Sequence, residues 1–186
     1  MTIKCNESTF RVNKCILALH TNFFDDAGAS SADDTNTFEI HGHSAIAVWR
    51  VLSWCYTGDY PSPDEQNEGF SPLCLDEIDV EDWEVHMKVS YVADYLGIDD
   101  LKPIAASRFY HHWYTPPRSK WGEEKLRNFL KSVTDVFKNT LSDDMMRFHI
   151  AALLFERHRE LKEMPEYAKV LDEVDGLASA LLLKYF

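Results

Sequence analysis

The sequence lacks the features that mark membrane, secreted and nucleotide-binding proteins. No apolar run approaches the roughly 20 residues that span a bilayer, and Lys4, Arg11 and Lys14 interrupt any leader-like segment. Only four cysteines occur in 186 residues, without a CxxC pair, which favours reduced thiols over a disulfide framework. Seven scattered glycines form no phosphate-binding loop. We therefore expect an intracellular protein, cytoplasmic or nuclear, with no membrane partner.

Basic residues are scarce in the first half of the chain. Between Cys15 and Met87 fifteen Asp or Glu residues face a single base, Arg50, whereas fifteen acids and fifteen bases follow from Lys88 onward. The net charge is −12. An acidic surface repels phosphate backbones, so the sequence disfavours nucleic-acid binding, and it remains compatible with a basic protein partner.

The remaining composition predicts a folded chain of one domain, or of one domain with a helical annex. Apolar residues make up 45% of it and charged residues 27%. Residues 2–12 resemble a β-hairpin around a polar Asn6-Glu7-Ser8 turn, and "TFEIHG" alternates like a third strand. A short helix is expected between these two elements, with its apolar positions at Ile16, Leu17, Leu19, Phe23 and Phe24.

The longer helices are predicted from three- and four-residue spacing of apolar side chains. Ser44 is a plausible N-cap and Gly58 the stop of a helix that ends in "VLSWCYTGDY". Another helix ends at Gly97, and the next tolerates Pro103 in its first turn. Residues 114–122 mark a boundary, and everything beyond them is helical. Three apolar stripes are expected to pack there: Leu126, Phe129, Leu130, Val133, Val136 and Phe137; Met145, Phe148, Ala152 and Phe155; and a helix from Pro165 with Tyr167, Val170, Leu171, Val174, Leu177, Ala178, Leu181 and Leu182.

Three motifs follow one another along the chain: "FRVNKCILALHTNFF", "VLSWCYTGDY" and "VSYVADYLGIDDLKPIAASRF". In this order and spacing they resemble the BTB/POZ domain, in the form found in many fungal proteins. The resemblance implies an α+β fold, with a small three-stranded sheet flanked by helices over residues 1–115. The tail resembles the all-α helical extension of such proteins, so residues 120–186 are expected to pack on the BTB core.

The resemblance also implies a function, which is protein–protein interaction without catalysis. In this family cullin scaffolds of ubiquitin ligases dock near the end of the corresponding helix, so an adaptor role in such a ligase is one expectation. A self-associating scaffold without cullin binding is the alternative, and we expect a monomer or a weak homodimer. Carried over, the partner-binding residues are Tyr56, Thr57, Tyr60, Phe70, Leu73, Leu75 and Glu77.

The two tyrosines at the helix end receive different predictions from their neighbours. Tyr56 continues the apolar stripe, so its ring is expected to complete the core. Tyr60 is followed by Pro61 and a polar, acidic stretch, so its ring is expected to lie nearer to solvent. An exposed aromatic ring with a polar tip is a typical interface anchor.

The remaining motifs give only weak support for catalysis or metal binding. The pairs His41/His43 and His111/His112 could belong to a metal-dependent enzyme, but no further ligand stands at matching spacing to complete a zinc site. No G-x-S-x-G turn is present. The sequence therefore predicts no cofactor, metal or catalytic residue, and the absence of a DNA-reading module counts against a transcription factor fragment.

Overall fold

A computed structural model describes residues 1–24, 37–61, 82–114, 121–141 and 144–177. The predicted site residues Phe70, Leu73, Leu75 and Glu77 lie outside these ranges, as do residues 115–120 of the boundary predicted at 114–122. The chain folds as two compact units, Met1–Ala105 and Ala106–Phe186. The boundary between these units falls within a helix, and the predicted division into residues 1–115 and 120–186 stays a prediction.

The first unit contains a three-stranded mixed sheet in the order β2-β1-β3. Strands β1 (Thr2–Cys5) and β2 (Ser8–Arg11) form an antiparallel hairpin, and β3 (Thr37–Ile40) pairs in parallel with β1. The turn is allowed by Asn6, whose φ of 52° lies in the left-handed region that asparagine tolerates. Ile3 and Ile40 are buried on one face. Both the hairpin and the third strand are therefore confirmed.

The helix that ends in the "VLSWCYTGDY" motif begins and ends where the sequence predicts. In α2 (Ala45–Thr57) the Ser44 hydroxyl accepts a hydrogen bond from the Ala47 N–H at 3.4 Å. Gly58 follows with φ 77°, and its N–H donates to the Trp54 carbonyl at 2.8 Å. The cap residues thus satisfy backbone groups that the helix ends leave open.

Two more helices complete this part of the fold. The apolar residues Val85, Val89, Val92 and Ala93 of α3 (Asp82–Tyr95) are buried, and Gly97 ends its last turn with φ 66°. The next helix, α4 (Leu101–Trp113), contains Pro103 in its first turn, where the missing N–H costs nothing. Leu101, Ala105 and Phe109 are fully buried along its inner face.

The helix predicted around Leu19 is shorter than expected. Helix α1 spans only Lys14–Leu17, and Leu19 is 80% exposed instead of packing inward. The helical spacing of the apolar residues does not apply beyond Leu17, because the chain turns at residues 18–20. Phe23 and Phe24 are helical again, and residues 25–36 lie outside the described ranges.

The described elements of the second unit are all helices: the end of α4, then α5 (Glu123–Asn139), α6 (Met145–Leu161) and α7 (Pro165–Glu173), with turns between them. The predicted α5 stripe is buried. The predicted α6 stripe is wrong, because the buried face of α6 carries Met146, Ile150, Leu153, Leu154 and Leu161, whereas Met145, Phe148 and Phe155 are about half exposed. The long last helix is also wrong, since α7 ends at Glu173 and Gly176 follows with φ 79°.

No helix in the described ranges is both long and apolar enough to cross a membrane.

Candidate partner-binding surface

The C-terminal end of α2 exposes a short stretch around an aromatic ring. Tyr56 is 46% exposed, so the prediction that it completes the core is wrong. Its hydroxyl accepts a hydrogen bond from the Asn13 N–H at 2.6 Å, while the Asn13 side chain caps α1 by accepting from the Cys15 N–H at 3.0 Å. The ring is therefore held at its tip while part of its surface stays accessible to a partner.

The turn after Tyr56 is closed by its own hydrogen bonds. The exposed Thr57 hydroxyl lies 2.9 Å from the Ser53 carbonyl and 3.2 Å from the Asp59 N–H, which donates to it. The Asp59 carboxylate accepts from the Tyr60 N–H at 2.8 Å. These local bonds fix the direction in which the chain leaves the helix.

Tyr60 lies beneath this turn and not at the surface. It is 1% exposed, and its hydroxyl lies 2.9 Å from Nδ1 of His86, which α3 supplies. The prediction of a solvent-facing ring is therefore wrong. Pro61 and the polar residues after it indicate only where the backbone goes, whereas the Tyr60 side chain turns inward to a hydrogen-bond partner 26 residues away.

Arg50, the single base between Cys15 and Met87, holds the segment that follows α2 in place. Arg50 is 5% exposed, and its Nε donates to the Pro61 carbonyl at 3.1 Å. The sequence predicted no role for Arg50 beyond its charge. The available signal was its spacing on α2, three residues after Ala47 and four before Trp54, which places it on their apolar face. A charged side chain on such a face needs a partner.

The surface near Tyr56 continues into polar and basic positions. Asn13 also lines an open groove together with Arg11, Lys14 and Thr37. The predicted site residues that the structure describes thus separate into two layers. Tyr56 and Thr57 are exposed together at the end of α2, and Tyr60 supports them from below.

A second exposed aromatic group of this unit surrounds Tyr95, at the end of α3. Tyr95 is 43% exposed, and its ring lies 5.2 Å from that of Phe23 and 4.9 Å from the imidazole of His43, between centroids. Burial lowers the pKa of His43. This group offers a comparison surface on the same unit, which can show whether partner binding depends on the end of α2.

Within the described part of the chain, neither histidine pair gathers the three ligands that a metal ion needs. His41 lies 3.6 Å from the Glu39 carboxylate in an exposed position, whereas His43 packs on Tyr95. Over the described ranges no three His, Cys, Asp or Glu side chains are grouped to hold a metal ion. Burial raises the pKa of Cys55 to about 11, so this thiol stays protonated at neutral pH and is a poor nucleophile.

Comparison with known protein families agrees with the sheet and helices described above. Residues 1–112 match the BTB/POZ domain. The chain belongs to the BTB/POZ family. The α+β fold of this BTB chain is thereby confirmed, with a mostly helical structure around a small mixed sheet. BTB domains are protein–protein interaction modules that bind other proteins and self-associate. A search of curated proteins finds no match to the chain.

Proposed function

We propose that this BTB chain is a non-catalytic adaptor that binds a cullin-type scaffold of a ubiquitin ligase through the end of α2. The observation that carries the proposal is the half-exposed Tyr56 ring, held by the Asn13 N–H beside the exposed Thr57. A ring that is already held loses little conformational freedom on binding, and aromatic side chains supply much of the energy of an interface. The first half of the chain is acidic overall and suits a basic partner, whereas Arg11 and Lys14 of the neighbouring groove suit an acidic contact next to Tyr56.

Self-association without cullin binding is the alternative function. It is favoured by Leu19, which is 80% exposed after α1. Large apolar side chains at such exposure gain free energy when a partner covers them.

Binding of purified cullin N-terminal domains to the full chain tests the adaptor function. We expect wild type to bind one member of a panel and Tyr56→Ala to weaken that binding by at least about tenfold, a value typical of aromatic anchors. Tyr56→Phe keeps the ring and loses only the bond to Asn13, so most of the affinity should remain. The measurement is titration calorimetry, with circular dichroism to show that each variant is folded.

Tyr95→Ala is the matched control, because Tyr95 is exposed to a similar extent on the same unit. Its binding should equal that of wild type. Absence of binding to every cullin would remove the adaptor function. Equal losses in the Tyr56 and Tyr95 variants would remove the end of α2 as the site.

A further inference from the structure

Three aromatic rings are stacked at the surface of the second unit, and α4 and α6 supply them. Tyr110 contacts both of the other rings. Its centroid lies 5.4 Å from that of Tyr114, with an angle of 25° between the ring planes, and 4.8 Å from that of His149, with an angle of 34°. We call Tyr110, Tyr114 and His149 the ring ladder. All three residues belong to the unit Ala106–Phe186.

The backbone holds the ring ladder in place as well as the ring contacts do. Tyr110 and Tyr114 are one helical turn apart, and the Tyr114 N–H donates to the Tyr110 carbonyl at 2.8 Å. Side chains four residues apart on a helix are neighbours, so the two tyrosine rings meet without help from another element. Rings that are already stacked lose little conformational freedom when a partner covers them.

The Tyr114 end of the ring ladder is accessible to a partner. Tyr114 is 42% exposed, whereas Tyr110 and His149 are half-buried. The face of a tyrosine ring is electron-rich and attracts cations. Among cationic side chains, the planar guanidinium of arginine also stacks on an aromatic face. The ring ladder therefore suits an arginine side chain.

A carboxylate lies close to the ring ladder. Glu156 is exposed, and it follows His149 by two helical turns, about 20° away around the axis of α6. Burial, the negative charge of Glu156 and the neighbouring Tyr114 raise the pKa of Tyr110. No salt bridge among the residues that the structure describes involves the Glu156 carboxylate. Its charge is therefore available to a cationic partner.

The two arginines that follow Glu156 in sequence do not occupy this face. Arg157 is buried, with its guanidinium 4.6 Å from the Trp121 ring centroid and its Nη1 3.2 Å from the Glu160 carboxylate. Arg159 is exposed, but it lies about 80° from His149 around the axis of α6. The surface beside the ring ladder thus combines aromatic faces with a negative charge.

We propose that the ring ladder and Glu156 form a docking site for an arginine side chain of a partner protein. The guanidinium lies flat on the Tyr114 ring as the next member of the stack, and the Glu156 carboxylate offsets its charge. A lysine ammonium is attracted but does not stack, so it binds more weakly. A nucleobase also stacks on such rings, but the carboxylate and the net charge of −12 disfavour its phosphate. The site uses no residue of the first unit and does not depend on cullin binding.

Nuclear magnetic resonance of the full chain with isotope-labelled tyrosine rings tests the proposal. The probe is a blocked peptide of alternating arginine and glycine, added at constant ionic strength. It should shift the ring signals of Tyr114 and Tyr110. The same peptide with citrulline, which keeps the shape of arginine and lacks its charge, should cause no such shift. A peptide with lysine should bind at least about threefold more weakly.

Two variants separate the ring from the carboxylate. Tyr114→Ala should raise the dissociation constant of the arginine peptide about three- to tenfold, because it removes the ring that the guanidinium covers. Glu156→Gln should raise it about two- to fivefold, because it removes the opposite charge. Both side chains are exposed, so each variant should keep its circular dichroism spectrum.

Each variant has a matched control that should bind the peptide like wild type. Asp172→Asn removes an equal charge from an exposed position on α7, and Tyr95→Ala removes an equally exposed ring from the first unit. In addition, Tyr56→Ala should leave peptide binding unchanged, and Tyr114→Ala should leave cullin binding unchanged. The docking site and the adaptor function can therefore fail separately.

Four results would overturn the proposal. The arginine peptide might as well be absent if no ring signal shifts, and equal binding of the citrulline peptide would show that the site does not recognise charge. Equal losses in Glu156→Gln and Asp172→Asn would reduce the binding to the net charge of the chain. Shifts at Tyr56 or Tyr95 without shifts at Tyr114 would locate the peptide on the first unit.

Discussion

Tyr56 and Tyr60 show how a single side chain depends on partners that its neighbours in sequence do not reveal. The sequence predicted Tyr56 in the core and Tyr60 nearer to solvent. Both predictions are wrong, since Tyr56 is half exposed and Tyr60 is 1% exposed. The difference is made by His86, which reaches the Tyr60 hydroxyl from α3, and by Asn13, which holds the Tyr56 hydroxyl at the surface. A buried tyrosine needs such a partner for its hydroxyl.

Removal of the Tyr60 hydroxyl should destabilise the chain. Tyr60→Phe deletes the hydrogen bond to His86 in a buried site, where a polar group that loses a partner costs about 1–3 kcal/mol. Tyr56→Phe deletes an exposed bond that water replaces, and it should cost about 0.5 kcal/mol or less. Urea denaturation measures both free energies of unfolding. Equal costs would contradict the difference in burial.

Helix ends were easier to predict than helix faces. The Ser44 cap and the Gly58 stop depend on the local backbone, and local residue types determine them. Local residue types do not determine which face of α6 is packed. Apolar residues occupy both of its sides, and their spacing alone selects neither. In the last helix the three- and four-residue spacing continued across Gly176, and it concealed the end of α7 at Glu173.

Substitution of Gly58 should destabilise the chain through backbone conformation and not through steric contact. Its φ is 77°, and an added Cβ would meet nothing within 4 Å. Gly58→Ala should therefore cost about 1 kcal/mol through left-handed strain alone, and Gly58→Asn should cost less, because asparagine tolerates this region. Thermal denaturation with circular dichroism compares the two variants. A Gly58→Ala variant as stable as wild type would show that the helix end does not need a residue that tolerates the left-handed region.

At the scale of the whole molecule, charge is distributed unevenly. The net charge of −12 arises in the first half, where Arg50 is the one base among fifteen acids between residues 15 and 87. The ion pairs of Lys102 with Asp94, at 2.6 Å, and of Arg127 with Glu123, at 2.5 Å, lie in the charge-balanced second half and leave this excess in place. Repulsion among the acids should therefore oppose the compact state.

Salt should stabilise this protein. Raising NaCl from about 20 to about 300 mM shortens the screening length severalfold, so repulsion should weaken and the free energy of unfolding should rise by an amount on the order of 1 kcal/mol or less. Urea, which is uncharged, is the suitable denaturant, and KCl should have the same effect as NaCl. A decrease in the free energy of unfolding on adding salt would show that the screened ion pairs affect stability more than the repulsion does.

The sequence by itself determined the family, the three strands, the caps of α2 and the buried stripes of α3 and α5. These features depend on local backbone preferences and on periods that a single apolar face imposes. Only the tertiary structure decided that Tyr60 is buried under the end of α2, that Arg50 holds the Pro61 carbonyl, and which apolar face of α6 is half exposed. The physical reason is that burial depends on which distant group lies opposite a side chain, and the periodicity of one segment carries no information about that group.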